Sequence, residues 1–199
     1  EKIWGGGEFG PMWHQAALKE KRNKAYEDMI AVSEDLVKKG VTIPSKLGIR
    51  GGSNGGLLMG NMMTLRPDLF GAVVCAVPLL DMKRFSHLLA GASWMAEYGN
   101  PDTDDWEFMQ RYSSYHNIDP DASYPPLLMT TNTKDDRVHP YHARCFVKRL
   151  EDCGNCDRLY YYENMEGGHG GAVDAKQSAF MTALYLEFLE KTIGEAGEK

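Results

Sequence analysis

No stretch of this chain is long and apolar enough to cross a bilayer. The longest apolar run, Gly71 to Leu80, is of strand length and is interrupted by Pro78, against the roughly 18 to 20 residues a spanning helix needs. Basic charge is in short supply: 22 Lys and Arg against 28 Asp and Glu give a net charge of −6. The signs are interspersed, so no basic stripe faces phosphates and nucleic acid is excluded as a sequence-independent partner. Cysteine is scarce, four in 199 residues, which is too sparse for a disulfide scaffold, and no Asn-x-Ser/Thr acceptor occurs. A reducing compartment is expected rather than secretion. Repeats, low-complexity tracts and interior linkers are lacking, so residues 1–199 read as one domain. The first residues, Glu1-Lys2-Ile3-Trp4-Gly5, offer neither a start methionine nor a basic-then-apolar leader. The chain is therefore expected to begin inside a larger protein.

What is present is the mixture of an α/β protein, 43% hydrophobic and 25% charged. Tyr26, Met29, Ile30, Ser33 and Val37 recur at helical spacing before Lys38, Lys39 and Gly40 stop the pattern. Leu47 to Arg50 reads as a short strand and Leu57 to Leu65 as a helix ended by Pro67. Ala72 to Val77 and Leu127 to Thr131 are near-continuous apolar runs, the pattern of strands covered on both faces in a parallel sheet. Between them lies an insertion, residues 81–124, rich in aromatics (Phe85, Trp94, Tyr98, Trp106, Phe108, Tyr112, Tyr115) and expected to hold helices that roof a site. His139 to Leu150 suits a helix and Arg158 to Glu163 a strand. Met181, Leu184, Tyr185 and Phe188 mark a closing helix, and the tail after Gly194 is expected to fray. Strands alternating with helices predict a parallel sheet with helices on both faces.

Chemistry is concentrated in three places. Gly51-Gly52-Ser53-Asn54-Gly55 fits G-x-S-x-G between a predicted strand and a predicted helix, where a sharp turn exposes a serine. Such a turn is tolerable only if its neighbours lack clashing Cβ atoms, a role open to Gly51, Gly52, Gly55 and Gly56. The Asn54 N–H and the helix N-terminus then face the position where a tetrahedral intermediate develops negative charge. A phosphate-binding loop is the competing reading, but neither the Lys-Ser/Thr of a P-loop nor G-x-G-x-x-G spacing is present. A serine hydroxyl needs a base, and the base needs an acid to hold its tautomer. Asp135 and Asp136 follow the strand Leu127 to Thr131, and spacing leaves either of them open as the acid. His169 sits in Glu166-Gly167-Gly168-His169-Gly170-Gly171, just after the next strand, on a loop that lets an imidazole reach inward.

The remaining candidates have blander explanations. His14, His87, His116, His139 and His142 fall on segments read as surface or insertion and are expected to be solvated or satisfied. His139-x-x-His142 lacks a third ligand at any known spacing, so no metal and no cofactor is expected. Cys153-Gly154-Asn155-Cys156 lies in a polar turn with no second pair and reads as a surface loop. Cys75 and Cys145 read as core or helix residues.

Taken together, Gly5-Gly6-Gly7-Glu8-Phe9-Gly10 with Trp13-His14, the Gly51 to Gly56 run, Arg66-Pro67-Asp68-Leu69-Phe70-Gly71, Asp135-Asp136-Arg137-Val138 and Gly168-His169-Gly170 resemble the catalytic domain of prolyl oligopeptidases, from about Gly5 to Gly194. The resemblance implies an α/β-hydrolase fold and a cytosolic serine endopeptidase that cuts short peptides after proline. It implies Ser53 as nucleophile, Asp135 as acid, His169 as base and the Asn54 N–H as one oxyanion donor. Trp94 matches the tryptophan that stacks on the substrate proline, Tyr98 lines the same pocket, and Arg137 matches the arginine that binds a substrate carbonyl. Stacking suits a flat pyrrolidine ring, although a tryptophan in an aromatic insertion also serves as a core anchor, and Arg137 could pair with Asp136. Trp4 stands where relatives carry an arginine. The family's second oxyanion donor is a tyrosine upstream of Gly5 with no counterpart here, and the first strands of the hydrolase sheet and the β-propeller are absent from this chain. Those pieces of a longer parent chain and short peptides are the expected partners. Two alternatives accompany the peptidase reading: an esterase or amidase of other specificity, and an inactive fragment that needs its upstream segment.

Overall fold

The computed structural model describes residues 2–194. Four short runs of apolar residues become the four parallel strands β1 (Gly48–Gly52), β2 (Ala72–Ala76), β3 (Leu127–Asn132) and β4 (Leu159–Asn164), in the order β1-β2-β3-β4. Each parallel step requires a crossover, and helices supply two of the three. The helices are α1 (Pro11–Gln15), α2 (Asn23–Lys38), α3 (Asn54–Leu65), the single turns α4 (Met95–Tyr98) and α5 (Trp106–Met109), α6 (Tyr141–Asp152) and α7 (Ala175–Leu189). The tail beyond Gly194, expected to fray, lies outside the described residues.

Strand alternation divides the core. Ile49, Val73, Cys75, Leu127 and Met129 point to one face, where Tyr26 of α2, Leu57, Met59, Met62 and Met63 of α3, and Phe146, Val147 and Leu150 of α6 bury them. Ala72, Val74 and Leu128 point to the other, against Phe188, Leu184, Tyr185 and Leu189 of α7. The expectation of helices on both faces therefore holds. The two faces are unequal: the second cluster has four buried residues, and Phe180 and Leu186 of α7 stand in solvent.

Two expectations need correction. Residues 81–124 form only turns of three to six residues, including 3-10 segments at Phe85–His87, Leu89–Trp94 and Gln110–Tyr112. Gly99, at φ 107°, ends α4, and Gly91 is required within its 3-10 segment, where a Cβ would lie 1.6 Å from the Phe85 carbonyl oxygen. The aromatics of this segment mostly build core: Phe85, Tyr98 and Tyr112 are buried, and Trp94, Trp106, Phe108 and Tyr115 pack against them. His142, expected near the surface, is buried in α6. Its Nδ1 accepts from the backbone N–H of Leu80 (3.3 Å) and Asp81 (3.1 Å).

Candidate active site

Ser53 occupies the tight turn between β1 and α3 at φ 58° and ψ −117°. A non-glycine residue in this region costs about 1–3 kcal/mol unless its surroundings hold it there. Two backbone hydrogen bonds do so: the Ser53 N–H donates to the Ala76 carbonyl (2.9 Å), and the Ser53 carbonyl accepts from the Leu57 N–H (3.1 Å). The steric demand on the surrounding glycines is narrower than the motif implied. A Cβ on Gly51 would lie 2.4 Å from the Gly55 carbonyl oxygen, and one on Gly56 would lie 2.6 Å from Pro78. One on Gly55 would meet nothing within 4 Å, and one on Gly52 would come no closer than 3.4 Å. Close approach of α3 to its own strand and to β2 explains Gly51 and Gly56, whereas Gly55 has no steric reason.

The end of β3 brings in the acid. Asp135 has a side chain with 0% exposure, and its Oδ1 accepts from the backbone N–H of Arg137 (2.9 Å) and Val138 (2.8 Å). A carboxylate removed from water needs such donors, since an unpaired buried charge is strongly destabilising. Asp136, left open beside it by spacing, is exposed. The His169 loop follows β4, and two asparagine amides hold it: Asn132 donates to the Gly168 carbonyl (2.8 Å) and Asn164 to the Gly171 carbonyl (3.1 Å). His169 thereby places Nδ1 2.8 Å from Asp135 Oδ2 and 3.0 Å from Oδ1, and Nε2 3.0 Å from Ser53 Oγ. A carboxylate only accepts, so the ring proton sits on Nδ1 and Nε2 accepts from the serine hydroxyl. This chain of hydrogen bonds can move the serine proton onto a base as an oxygen nucleophile forms.

Beside the serine, the Asn54 N–H at the start of α3 has no acceptor among the described residues and is open to a developing anion. The Asn54 side chain is held: its Oδ1 accepts from the Tyr98 hydroxyl (2.7 Å) and from Arg22 Nη2 (2.6 Å). Burial pushes the Tyr98 pKa up, more than the Arg22 charge lowers it, so the phenol stays a donor. Trp94 is half-buried against the main core. Arg137 is exposed and makes no ion pair among the described residues, so the pairing with Asp136 weighed for it does not form. Its carbonyl accepts from the Ala90 N–H (3.3 Å), which ties the aromatic segment to the acid loop.

Residues that the sequence reading left out also converge here. Arg22 lies in the charged run Leu18-Lys19-Glu20-Lys21-Arg22-Asn23-Lys24, whose pattern gives no sign that one of its cations is 5% exposed. Its Nη1 donates to Glu97 Oε1 (2.7 Å), and Glu97 Oε2 pairs with His14 Nε2 (2.7 Å). No cluster of three or more His, Cys, Asp or Glu that could hold a metal occurs among the described residues. His142 Nδ1 is already engaged by two backbone donors.

Residues 2–196 match the model of the prolyl oligopeptidase family. An uncharacterized peptidase, y4nA, of Sinorhizobium fredii is 51% identical over 191 residues, covering 95% of this chain and 26% of that protein. A prolyl endopeptidase of Elizabethkingia miricola is 35% identical over 189 residues, 94% of this chain and 27% of the relative. Among solved structures, a post-proline cleaving enzyme from Rickettsia typhi superposes with a TM-score of 0.93 at 44% identity, covering 96% of this chain and 28% of the other. The chain thus spans about a quarter of the length of the relatives it matches, 26% for the first.

Proposed function

The chain belongs to the prolyl oligopeptidase family, with the α/β-hydrolase fold of its catalytic domain, and from that premise we propose that it carries the nucleophile-bearing part of a cytoplasmic serine endopeptidase that cleaves short peptides on the carboxyl side of proline. The observation that carries this reading is the continuous hydrogen-bonded chain Asp135, His169, Ser53, with 2.8 Å and 3.0 Å links.

In the proposed reaction, Ser53 Oγ attacks the carbonyl carbon after proline while His169 Nε2 takes its proton, and Asp135 stabilises the imidazolium that forms. The tetrahedral oxyanion is met by the Asn54 N–H, a fixed dipole in place before charge develops. His169 then returns the proton to the leaving amine, leaving an acyl-enzyme on Ser53. A water activated by His169 hydrolyses the ester and restores the serine. The Trp94 indole face and the Tyr98 ring form the proline pocket, and Arg137, exposed and without an ion pair among the described residues, donates to a substrate carbonyl. The remainder of the parent chain supplies the first strands of the sheet, a propeller and the second oxyanion donor.

Intact-mass analysis after treatment with a fluorophosphonate tests the reading. One adduct is expected, absent in Ser53→Ala and His169→Ala. Gly-Pro amides should then turn over faster than Gly-Ala amides, with Trp94→Ala narrowing the ratio. A folded wild-type protein that takes no adduct would refute Ser53 as nucleophile, and equal turnover of the two amides would refute the proline pocket.

A further inference from the structure

Arg22 is a buried cation that the proposed reaction does not use directly. It is 5% exposed, and it sits just before α2, 32 and 75 residues from the Asn54 and Glu97 side chains that its guanidinium binds. Its two terminal nitrogens bind different elements: Nη1 donates to Glu97 Oε1 at 2.7 Å and Nη2 to Asn54 Oδ1 at 2.6 Å. Its guanidinium carbon lies 5.1 Å from the centroid of the Tyr98 ring. The Tyr98 hydroxyl takes the second lone pair of Asn54 Oδ1 at 2.7 Å, so the Asn54 amide oxygen is saturated and its side chain has one position. Behind Glu97, His14 Nε2 approaches the other carboxylate oxygen at 2.7 Å. Asn54 is also the residue whose N–H, at the start of α3 and next to the nucleophile, has no acceptor among the described residues.

We propose that Arg22 is a positioning residue for acyl transfer: anchored by Glu97 and His14, its guanidinium grips the Asn54 side chain and so aims the Asn54 N–H at the oxyanion. This rests on the reading of Ser53 as nucleophile. The physical basis is that an oxyanion donor is worth most when its orientation is fixed before charge develops. An error of about 1 Å in such a group costs on the order of 10²-fold in rate. An arginine suits the task because its rigid fork reaches two acceptors at once, which the point charge of a lysine cannot reproduce. Charge is also retained at this buried place: desolvation opposes it, and the Glu97 carboxylate, 2.7 Å from Nη1, favours it.

The test compares the rate of fluorophosphonate labelling with its final stoichiometry. In Arg22→Met, labelling is expected to slow by about 10- to 100-fold, short of the about 10²- to 10³-fold cost of deleting an oxyanion donor, while still reaching one adduct per chain. A purely structural role would lower the labelled fraction and leave the rate of the remainder unchanged, which would overturn the proposal. On Gly-Pro amides the loss should fall on kcat with KM little altered, and Arg22→Lys should recover part of it. Asn54→Ala should slow labelling by itself, and adding Arg22→Met to it should cost little more, because the two act as one unit. Multiplying losses would overturn the proposal. Should Arg22→Met fail to fold, Glu97→Gln serves instead, with a several-fold slower rate expected at full stoichiometry and an unchanged rate counting against the anchor. If wild-type protein takes no adduct at Ser53, the reading of the nucleophile fails first and takes this proposal with it, an outcome seen before any variant is made.

Discussion

At the scale of single residues, the elbow divides glycines by what a methyl group would strike. Gly51 faces the Gly55 carbonyl at 2.4 Å and Gly56 faces Pro78 at 2.6 Å, while Gly55 faces open space. Backbone carbonyls and a proline ring cannot swing away as a flexible side chain would, so α3 would have to shift from β1 and take Ser53 with it. Gly51→Ala is therefore expected to lose phosphonate labelling and to unfold at lower urea, whereas Gly55→Ala should label like wild type and gain slightly in stability, since alanine is the better helix former by about 1 kcal/mol. Equal behaviour of the two variants would refute the steric account. The same scale separates the acidic pair. Asp135 is chosen over Asp136 by two backbone N–H groups, those of Arg137 and Val138, that converge on its Oδ1. Nothing in the order of the letters Asp-Asp-Arg-Val encodes that convergence.

At the scale of elements, the site is assembled from strand ends and the loops beyond them. The turns after β1, β3 and β4 deliver Ser53, Asp135 and His169 respectively, all at the carboxyl edge of one parallel sheet, which is where open α/β sheets gather their ligands. The His169 loop runs directly into α7, and the junction is capped: Asp174 Oδ1 accepts from the Gln177 N–H at 2.7 Å, and Gln177 Oε1 in turn accepts from Asn164 at 3.1 Å. Because α7 rests on a small apolar cluster, its N-terminal cap carries a larger share of its stability than that of a deeply packed helix. Asp174→Ala should lower unfolding free energy by about 1 kcal/mol, the usual cost of losing such a cap, as read in urea melts. Hydrogen exchange in the first turn of α7 should rise more than in α3, and unchanged exchange there would show that the cap is not what holds the loop.

At the scale of the whole molecule, stability depends on pH through a histidine remote from the chemistry. Burial pushes His142 from 6.5 down to about 4, with Asp81 opposing that shift and His139 adding to it. The unfolded chain therefore binds this proton below pH 6.5, and the folded protein does so only near 4. The contribution is fully present above 6.5 and is lost as pH falls through that window, on the order of 3 kcal/mol by pH 4. His142→Asn keeps an acceptor for the Leu80 and Asp81 N–H groups but cannot titrate. Urea midpoints of the wild type should fall between pH 6.5 and 4 more steeply than those of the variant, and parallel slopes would exclude His142 as the source. The molecule also presents β1 at the edge of its sheet and Phe180 and Leu186 of α7 to solvent. Its matched relatives are about four times longer, this chain spanning 26% of the first of them.

The sequence by itself determined the strands, the main helices and the serine elbow, because those depend on local periodicity and on turn chemistry within a few residues. Ala72–Ala76 and Leu127–Asn132 announce themselves as apolar runs, and Gly51 to Gly55 carries the G-x-S-x-G turn signal. Family resemblance supplied Asp135 over Asp136. Only the tertiary structure decided what depends on contacts between distant residues. It buried His142 where spacing read surface, turned Phe85 and Tyr112 into core rather than roof, and drew Arg22 out of a charged run onto Asn54 and Glu97, 32 and 75 residues away. The physical reason is that burial and charge pairing are properties of a place in space, set by every element that packs around it, and a one-dimensional pattern carries only the neighbours along the chain.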